Sequence, residues 1–400
     1  MIYASILLLI PMKLYTKFFS HSQGQSKNLQ SIQRLNKEYF QGLNYLIENQ
    51  TDKAIDEFVK LLEVDNETIE IHLTLASLFR SRGEVDRAIR IHQNIIARPN
   101  LAPFERLHAL SELGRDYLQA GVLDRAENLF LEVVAKPGPQ KQACLEFLLC
   151  IYEQEKDWLK AIQTAKKCQS SQSKSMAKVI AQYYCELAHA CADAQPKDTI
   201  KYLVSALKAN PLCVRANLML GNLYARMGQC KLAIKYLDQV GRQDARWLGE
   251  TVENLYLCYL ELKKEKQLIH YWESSLDKSS NIAIVIGLAK ILRHYHGDRK
   301  AIDFLALHMR RSPSLLILAS LVDIYAQNSE GDALEKLILL QGFIDALLKK
   351  SPPYCCQSCG FSGFSLYWQC PGCRSWEVVL PSQWGETNSF LDPLEGVNSA

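Results

Sequence analysis

From about residue 35 to residue 313, small, large and turn-forming residues recur along the chain at intervals of about 34 residues. The clearest copy is 69–100, which has Ala76 at its eighth position, Phe79 at its eleventh and Ala88 at its twentieth. Gly83 lies between the two apolar stretches and is typical of a turn. Small residues allow two helices to approach closely, and large ones fill the gap between successive pairs. The pattern therefore predicts one helix pair per repeat.

The repeat can be followed through eight copies by one residue of its second helix. These anchor residues are Ala54, Ala88, Ala126, Ala161, Thr199, Ala233, Leu268 and Ala301. Successive anchors are 33 to 38 residues apart, which is the interval of tetratricopeptide repeats. We therefore predict an all-α, right-handed solenoid over residues 35–313. The segment 315–350 fits the repeat poorly and is predicted to be a terminal capping pair, so the repeat domain covers 35–350.

Repeat scaffolds bind partners through their faces and do not by themselves imply chemistry. The candidates for partner binding, on or near the inward positions of the first helices, are Arg80, Arg82, Arg115, Asn222 and Arg226. Arginine there could hold acidic or backbone groups of a partner. The alternative is that the arginines around Glu84 and Asp86 pair with these carboxylates on a solvated face, which is the usual role of exposed charges.

The first twelve residues carry no charged side chain, and Lys13 and Lys17 interrupt only the second half of the apolar stretch. As a helix, residues 1–19 would be about 28 Å long, close to the thickness of a hydrocarbon core. We predict a membrane anchor at 1–19 and a Ser- and Gln-rich linker at 20–34. A signal peptide and a core or interfacial helix are the alternatives. Because the lysines follow the apolar stretch, the positive-inside bias predicts a cytoplasmic location for the remaining chain.

After residue 350 the composition changes, and two C-x-x-C pairs follow, Cys356 with Cys359 and Cys370 with Cys373. Their spacing allows four thiolates to converge on one metal ion, and both iron and zinc suit such a site. Two disulfides or reduced thiols are the alternative, which paired motifs in a cytoplasmic chain disfavour. Cys355 adjoins the first ligand, but the two-residue spacing favours Cys356.

The residues around these cysteines predict a small domain at 351–382. Gly360 follows the first pair, and Pro371 and Gly372 lie within the second, as tight knuckles require. The stretch 361–368 alternates aromatic and small residues, which predicts a short hairpin. Such a domain has little core, so metal binding would supply much of its folding free energy. The polar segment 383–400 is predicted to be a disordered tail.

Composition and motifs reduce the number of possible functions. The formal net charge of +3 is too small for a general nucleic-acid binder. Thirteen cysteines, an odd number, disfavour a fully disulfide-paired secreted protein, and the eight in the repeats are predicted to be small buried residues. A four-ligand metal site is closed, and the sequence has no H-E-x-x-H, G-x-S-x-G or G-x-x-x-x-G-K-[ST] motif. We predict a protein-binding protein and not an enzyme.

The combination of an N-terminal anchor, a repeat array and a C-terminal four-cysteine domain closely resembles the lipopolysaccharide assembly protein B family of Gram-negative bacteria. The most specific pieces are 73–93, 183–188 and 356–376, the last with the family's cysteine spacing. The resemblance implies a rubredoxin-like domain that binds iron through the four cysteines of the two pairs and packs against the repeats. It also implies a non-enzymatic adaptor that spans the inner membrane once, with its bulk on the cytoplasmic side.

The resemblance further implies partners. Adaptors of this family promote degradation of the deacetylase that commits precursors to lipid A synthesis. The degrading enzyme is a membrane-bound AAA+ zinc protease, and a membrane protein with a periplasmic domain antagonises the adaptor. Two other functions stay open, a scaffold that assembles lipopolysaccharide biosynthetic enzymes and a redox or metal-sensing protein that uses the four-cysteine site. Homo-oligomerisation is also left open.

Overall fold

The chain forms two compact units, residues 1–155 and residues 156–400. The computed structural model describes scattered positions between 41 and 57, and then 69–99, 101–168, 173–192, 195–276, 281–350 and 352–381. The predicted anchor, linker and tail lie outside these described residues. Among the helices that are described, none combines the length and the apolar character needed to cross a membrane.

From residue 69 onward, the described part of the first unit consists of helices that pack in sequence order. They are α1 (Ile69–Ser81), α2 (Val85–Ile96), α3 (Pro103–Gln119), α4 (Leu123–Val134) and α5 (Lys141–Glu155). Each helix contacts the next, and α3 also contacts both α1 and α5. The odd-numbered helices therefore lie side by side, as stacked helix pairs require.

Within itself, the second unit shows the same kind of arrangement. Its helices are α6 (Trp158–Lys167), α7 (Ser173–Cys191), α8 (Pro196–Ala209), α9 (Val214–Arg226), α10 (Cys230–Gln243), α11 (Val252–Glu261), α12 (Glu265–Leu276), α13 (Ile282–His296), α14 (Asp298–Arg311), α15 (Leu315–Gln327) and α16 (Asp332–Lys350). A 3-10 helix, Ala245–Thr251, precedes α11. Consecutive helices contact each other, and α7, α9, α11, α13 and α15 form a second chain of contacts.

The anchor residues of the repeat are all buried. Each of the eight, including the atypical Thr199 and Leu268, has at most 2% of its surface exposed. Small residues on the first helices allow this close packing. A Cβ on Gly114 would come within 2.6 Å of Phe130, and one on Gly221 within 2.5 Å of Leu237. The predicted repeat is therefore confirmed in its packing, whereas its right-handedness stays a prediction.

The turns between paired helices need a positive φ. Gly83, Gly121 and Gly228 provide it, with φ of 82°, 76° and 69°. Lys156 and Lys263 lie at the matching position, five residues before an anchor, with φ of 57° and 53°. A residue with a Cβ is strained there. Two repeats thus carry a strained lysine where three others use glycine.

The predicted terminal pair is present as α15 and α16. Helix α15 packs on α13 and α14, and its residues Ile317, Leu321 and Ile324 join their core. Of α16, only Ile344 is buried. Its other side exposes apolar side chains, Ile338 (56%), Leu339 (62%), Leu340 (42%), Phe343 (62%) and Leu347 (51%). The array therefore ends here in an apolar surface, although terminal repeats usually present a polar one.

A three-stranded antiparallel sheet follows α16. It consists of β1 (Tyr354–Cys356), β2 (Ser362–Gly363) and β3 (Val379–Pro381), in the order β2-β1-β3. The predicted hairpin within 361–368 is wrong, because Ser362 and Gly363 pair with β1. The turn at Gly360, which has a φ of 76°, brings Phe361 back so that its carbonyl accepts from Cys356 N at 2.7 Å.

The repeat cysteines are mostly small buried residues, as predicted. Those that are buried are Cys144, Cys168, Cys185, Cys213, Cys230 and Cys258. The prediction is wrong for Cys150, which is exposed near the end of α5, and it holds only partly for the half-buried Cys191.

Candidate metal centre and partner-binding residues

The sheet and its loops bring the four predicted ligands together. The Sγ atoms of Cys356, Cys359, Cys370 and Cys373 all lie within 4.8 Å of one another. Cys356 Sγ is 3.8 Å from Cys373 Sγ, and Cys359 Sγ is 3.6 Å from Cys370 Sγ. A tetrahedron with metal–sulfur bonds of about 2.3 Å has sulfur–sulfur edges of about 3.8 Å. The four thiols therefore fit one tetrahedral ion, and their spacing suits iron as well as zinc.

Backbone N–H groups point at the sulfurs from both knuckles. Ser358 N donates to Cys356 Sγ at 3.4 Å, and the N–H of Phe361 donates to Cys359. In the second knuckle, hydrogen bonds from the side chain and backbone of Ser375 lower the pKa of Cys373 to about 6. Donors of this kind stabilise thiolates, which are the form that binds metal.

The two knuckles differ at the residue after the second cysteine. Gly360 follows Cys359 with a φ of 76°, and Arg374 follows Cys373 with a φ of 57°. Gly372 lies inside the second pair, where a Cβ would be 3.4 Å from Cys359 Sγ. The second knuckle therefore keeps its shape with a strained arginine, a feature that residue type alone did not reveal.

Cys355 lies outside the cluster. Strand β1 points alternate side chains to opposite faces, so the inward direction of the buried Cys356 turns Cys355 away. Its Sγ accepts from the hydroxyl of Ser362 on β2. The preference for Cys356 as the first ligand agrees with this geometry.

The metal-binding module, residues 352–381, is docked on the repeats of its own unit. The indole of Trp368 stacks on that of Trp247 in the 3-10 helix, with ring centroids 4.7 Å apart. The guanidinium of Arg215 on α9 lies 5.6 Å from the centroid of the Trp368 ring. Leu366 and Leu380 join the same apolar cluster as Trp247. Trp368 is therefore held between a tryptophan and an arginine of the array.

Polar contacts fix the orientation of the module. Gln182 Nε2 on α7 donates to Glu377 Oε1 at 2.6 Å, and the hydroxyl of Tyr354 donates to Glu250 at 2.8 Å. Burial raises the pKa of Glu377, although nearby Lys178 and Arg215 oppose the shift. The packing of the module against the repeats, which the family resemblance implied, is thus present in this chain.

A second aromatic contact lies at the other edge of the module. The ring of Trp376 meets the rings of Trp158 and Tyr183 edge-on, at centroid distances of 6.2 Å and 6.0 Å. These docking residues were not predicted from the sequence. The signal that could have found them is the number of large aromatics in 352–381, which exceeds what so small a core can bury.

The predicted partner-binding residues of the first unit are engaged within that unit. Arg80 is buried and pairs with Glu112 at 2.6 Å and with Asp116 at 2.9 Å. His92 contacts the other oxygen of Asp116. Arg115 pairs with Glu112 at 2.9 Å. These residues form a charged cluster between α1, α2 and α3, and a direct role in partner binding stays a prediction.

Arg82 pairs with a nearby carboxylate on an exposed face, which is the alternative to partner binding. Its Nε lies 3.4 Å from Glu84, which also pairs with Arg87 at 2.7 Å. These side chains are substantially exposed, so the pairs contribute little to stability.

The two candidates of the second unit line a cavity. Asn222 and Arg226, on α9, face a space of about 410 Å³. The other lining residues are His189, Ala192, Thr199, Leu203, Met219, Leu223 and Asn254. Asn254 Nδ2 donates to Asn222 Oδ1 at 2.8 Å across the first helices of two repeats. The cavity thus combines an amide pair, a guanidinium and an imidazole above an apolar floor.

Comparisons with known proteins match both the repeats and the four-cysteine module. A family model described as a rubredoxin metal binding domain matches residues 354–379, and a tetratricopeptide repeat model matches residues 72–102. Lipopolysaccharide assembly protein B of Escherichia coli K12 is 34% identical over 380 residues, which cover 94% of this chain and 97% of that protein. The protein of the same name from Haemophilus influenzae is 34% identical over 386 residues, with the same two shares. Since this identity extends over nearly the whole of both chains, the chain belongs to the lipopolysaccharide assembly protein B family.

Proposed function

We propose that the protein is a non-enzymatic adaptor on the cytoplasmic face of the bacterial inner membrane. It presents the deacetylase of the committed step of lipid A synthesis to a membrane-bound AAA+ zinc protease, and a membrane protein antagonises it. Family membership over 94% of the chain carries this proposal. The repeat array supports it, because such arrays bind proteins, and so does the closed four-thiol site, which leaves no open position for a substrate.

Tethering is the proposed mechanism. The predicted anchor at 1–19 restricts the adaptor to the membrane plane in which the protease lies. Confinement raises the effective concentration of the two partners without any new contact. The metal, when bound, cross-links four loop residues and so supplies folding free energy to the module. The module in turn contacts α7, α9 and the 3-10 helix, and this keeps the partner-binding surface of the array in one arrangement.

The cavity of Asn222 and Arg226 is the proposed contact for a partner segment. An amide pair can bond the backbone of an extended peptide, and the guanidinium can hold a carboxylate. Its apolar floor, which includes Leu203 and Leu223, suits one apolar side chain of that peptide.

The decisive experiment measures the lifetime of the deacetylase in cells. Deleting 1–19 should lengthen that lifetime, and fusing an unrelated single-pass anchor to the shortened chain should restore the short lifetime. Full activity of the unanchored chain at native levels would contradict tethering. A cross-linking pull-down from membranes should recover chiefly the protease and the deacetylase, whereas recovery of many biosynthetic enzymes would favour the scaffold instead.

Metal exchange tests the redox alternative. Chain loaded with zinc in place of iron cannot cycle between oxidation states. An unchanged rate of deacetylase degradation with zinc would exclude the redox function. Loss of that degradation despite an intact fold would support it.

A further inference from the structure

Helix α16 has two apolar faces. The inner one packs on α15 around the buried Ile344. The outer one consists of Leu339, Phe343 and Leu347, one helical turn apart, together with Leu340. These four side chains are between 42% and 62% exposed. We call them the outer face of α16.

This face is unusual for the end of a repeat array, because terminal repeats normally present polar residues to water. Three of its residues are spaced at i, i+4 and i+8, so they form a stripe about 12 Å long on the helix surface. By the same periodicity Lys350 lies on this side, as does Lys336, which pairs with Asp332 of the preceding turn. An apolar stripe with Lys350 at its end matches a segment that carries both apolar and acidic residues.

We propose that the outer face of α16 is the docking site for the C-terminal segment of the same chain, residues 382–400. That segment contains Trp384, Phe390, Leu391 and Leu394 among polar residues. It also contains three acidic residues and no lysine or arginine. Its apolar residues match the stripe, and its charge is opposite to that of Lys350.

The position of the module places the segment within reach. Pro381, the last described residue, pairs with Tyr354 on β1. Tyr354 is four residues after Lys350, the end of α16, so the two are at most about 14 Å apart. The nine residues from 382 to 390 can span about 30 Å, which is enough to bring Phe390 back to Leu347 at the near end of the stripe. The segment therefore leaves the sheet beside the end of the helix that it would cover.

A polar tail can order on binding when a surface offers it apolar contacts. Residues 352–381 connect α16 covalently to the segment, so this docking is intramolecular. Its entropic cost is therefore that of closing a short loop. The docked segment would complete the array in the way that a polar capping helix does in other repeat proteins.

Hydrogen exchange along α16 tests the proposal. The full chain in nanodiscs, which contain no free detergent, is compared with a chain that ends at Pro381. Truncation should speed exchange in peptides from 332–350 by about tenfold, the factor expected when an apolar contact of one large side chain is lost. The double substitution Phe390→Ser and Leu391→Ser in the full chain should have the same effect.

Two controls make the result specific. Leu212→Ser changes a leucine that is 71% exposed elsewhere in the unit, and it should leave exchange in α16 unchanged. Phe343→Ser should remove the difference between full and truncated chains. Equal exchange in full and truncated chains, or protection that persists in the Phe390, Leu391 variant, would overturn the proposal. Protection that grows with protein concentration would also overturn it, because a second copy would then be the occupant.

Discussion

Trp368 of the metal-binding module stacks face to face on Trp247 of the repeat array, with their ring planes 15° apart. The two residues are more than one hundred positions apart in the chain. Their contact ties a module with almost no core of its own to a large apolar cluster of the second unit.

The Trp368→Ala variant should loosen the module. Trp368 is half-buried, so its loss should cost less than the roughly 3–5 kcal/mol of a fully buried tryptophan, and the stacked pair itself accounts for about 1 kcal/mol. Hydrogen exchange in 352–381 should rise and metal should be lost faster to a chelator. Phe364→Ala is the matched control, because Phe364 is 62% exposed in the same module. Equal effects of the two changes would show that the stack is not what holds the module.

The ligand assignment can be tested at two adjacent positions. Cys356→Ser removes one of the four converging thiols, so the purified protein should lose its bound metal. Cys355→Ser changes a thiol that lies outside the cluster, so metal content should stay the same. Metal analysis of both proteins checks this, and retention of metal by the Cys356 variant would refute the assignment.

Glu377 predicts a pH dependence of docking. Burial raises the pKa of its carboxyl in the folded chain, and this shift outweighs the opposing effects of Lys178 and Arg215. The contribution of Glu377 to the stability of the folded chain is therefore fully present below the pKa of about 4.3 that it has in the unfolded chain. This contribution is lost as pH rises through the higher pKa of the folded chain.

Substituting Glu377→Gln retains an acceptor for Gln182 and removes the ionisation. Its free energy of unfolding should exceed that of the parent at neutral pH, and the difference should shrink in mildly acidic buffer. Chemical denaturation with metal content checked at each pH measures this. Glu330→Gln, on an exposed glutamate, is the control. A difference that grows toward acid would contradict the sign of the shift.

The strained turn at Lys263 predicts a stabilising substitution. Because its φ is 53°, glycine should relieve strain, and Lys263→Gly should raise the free energy of unfolding by about 1 kcal/mol. The neighbouring Lys264 has no positive φ, so Lys264→Gly should be destabilising. Thermal unfolding of the two variants separates these effects, and equal shifts would show that the turn is unstrained.

The repeats could be predicted from sequence because their packing uses the same residue types at a constant interval. Ala88, Ala126 and Ala233 are small for the same steric reason, and each is fully buried. The four cysteines could be predicted for a similar reason, since their ligand geometry is encoded in spacings of a few residues. Both patterns depend on residues close together in the chain or at a fixed interval, so they can be recognised in the sequence alone.

The contacts between distant segments could not be predicted in this way. Gln182 bonds Glu377 across 195 residues, and no spacing in the sequence relates them. Arg80 shows the same limit at shorter range. Its neighbours Glu84 and Asp86 suggested a surface pair, but the fold brings Asp116, one repeat later, to its guanidinium. The strained φ values of Arg374 and Lys263 also follow from tertiary shape and not from residue type.

The docking of residues 352–381 on α7, α9 and the 3-10 helix has a consequence for biosynthesis. A repeat array can fold pair by pair as it leaves the ribosome, since each pair needs only its neighbour. The module is translated after all of these helices, and its contacts close loops of more than one hundred residues, so docking is a late and slow event. A nascent chain that lacks metal would reach the end of synthesis with the face of Trp247 that Trp368 covers still open to water. Such chains would be open to proteases, so metal supply during translation would set how much finished protein accumulates.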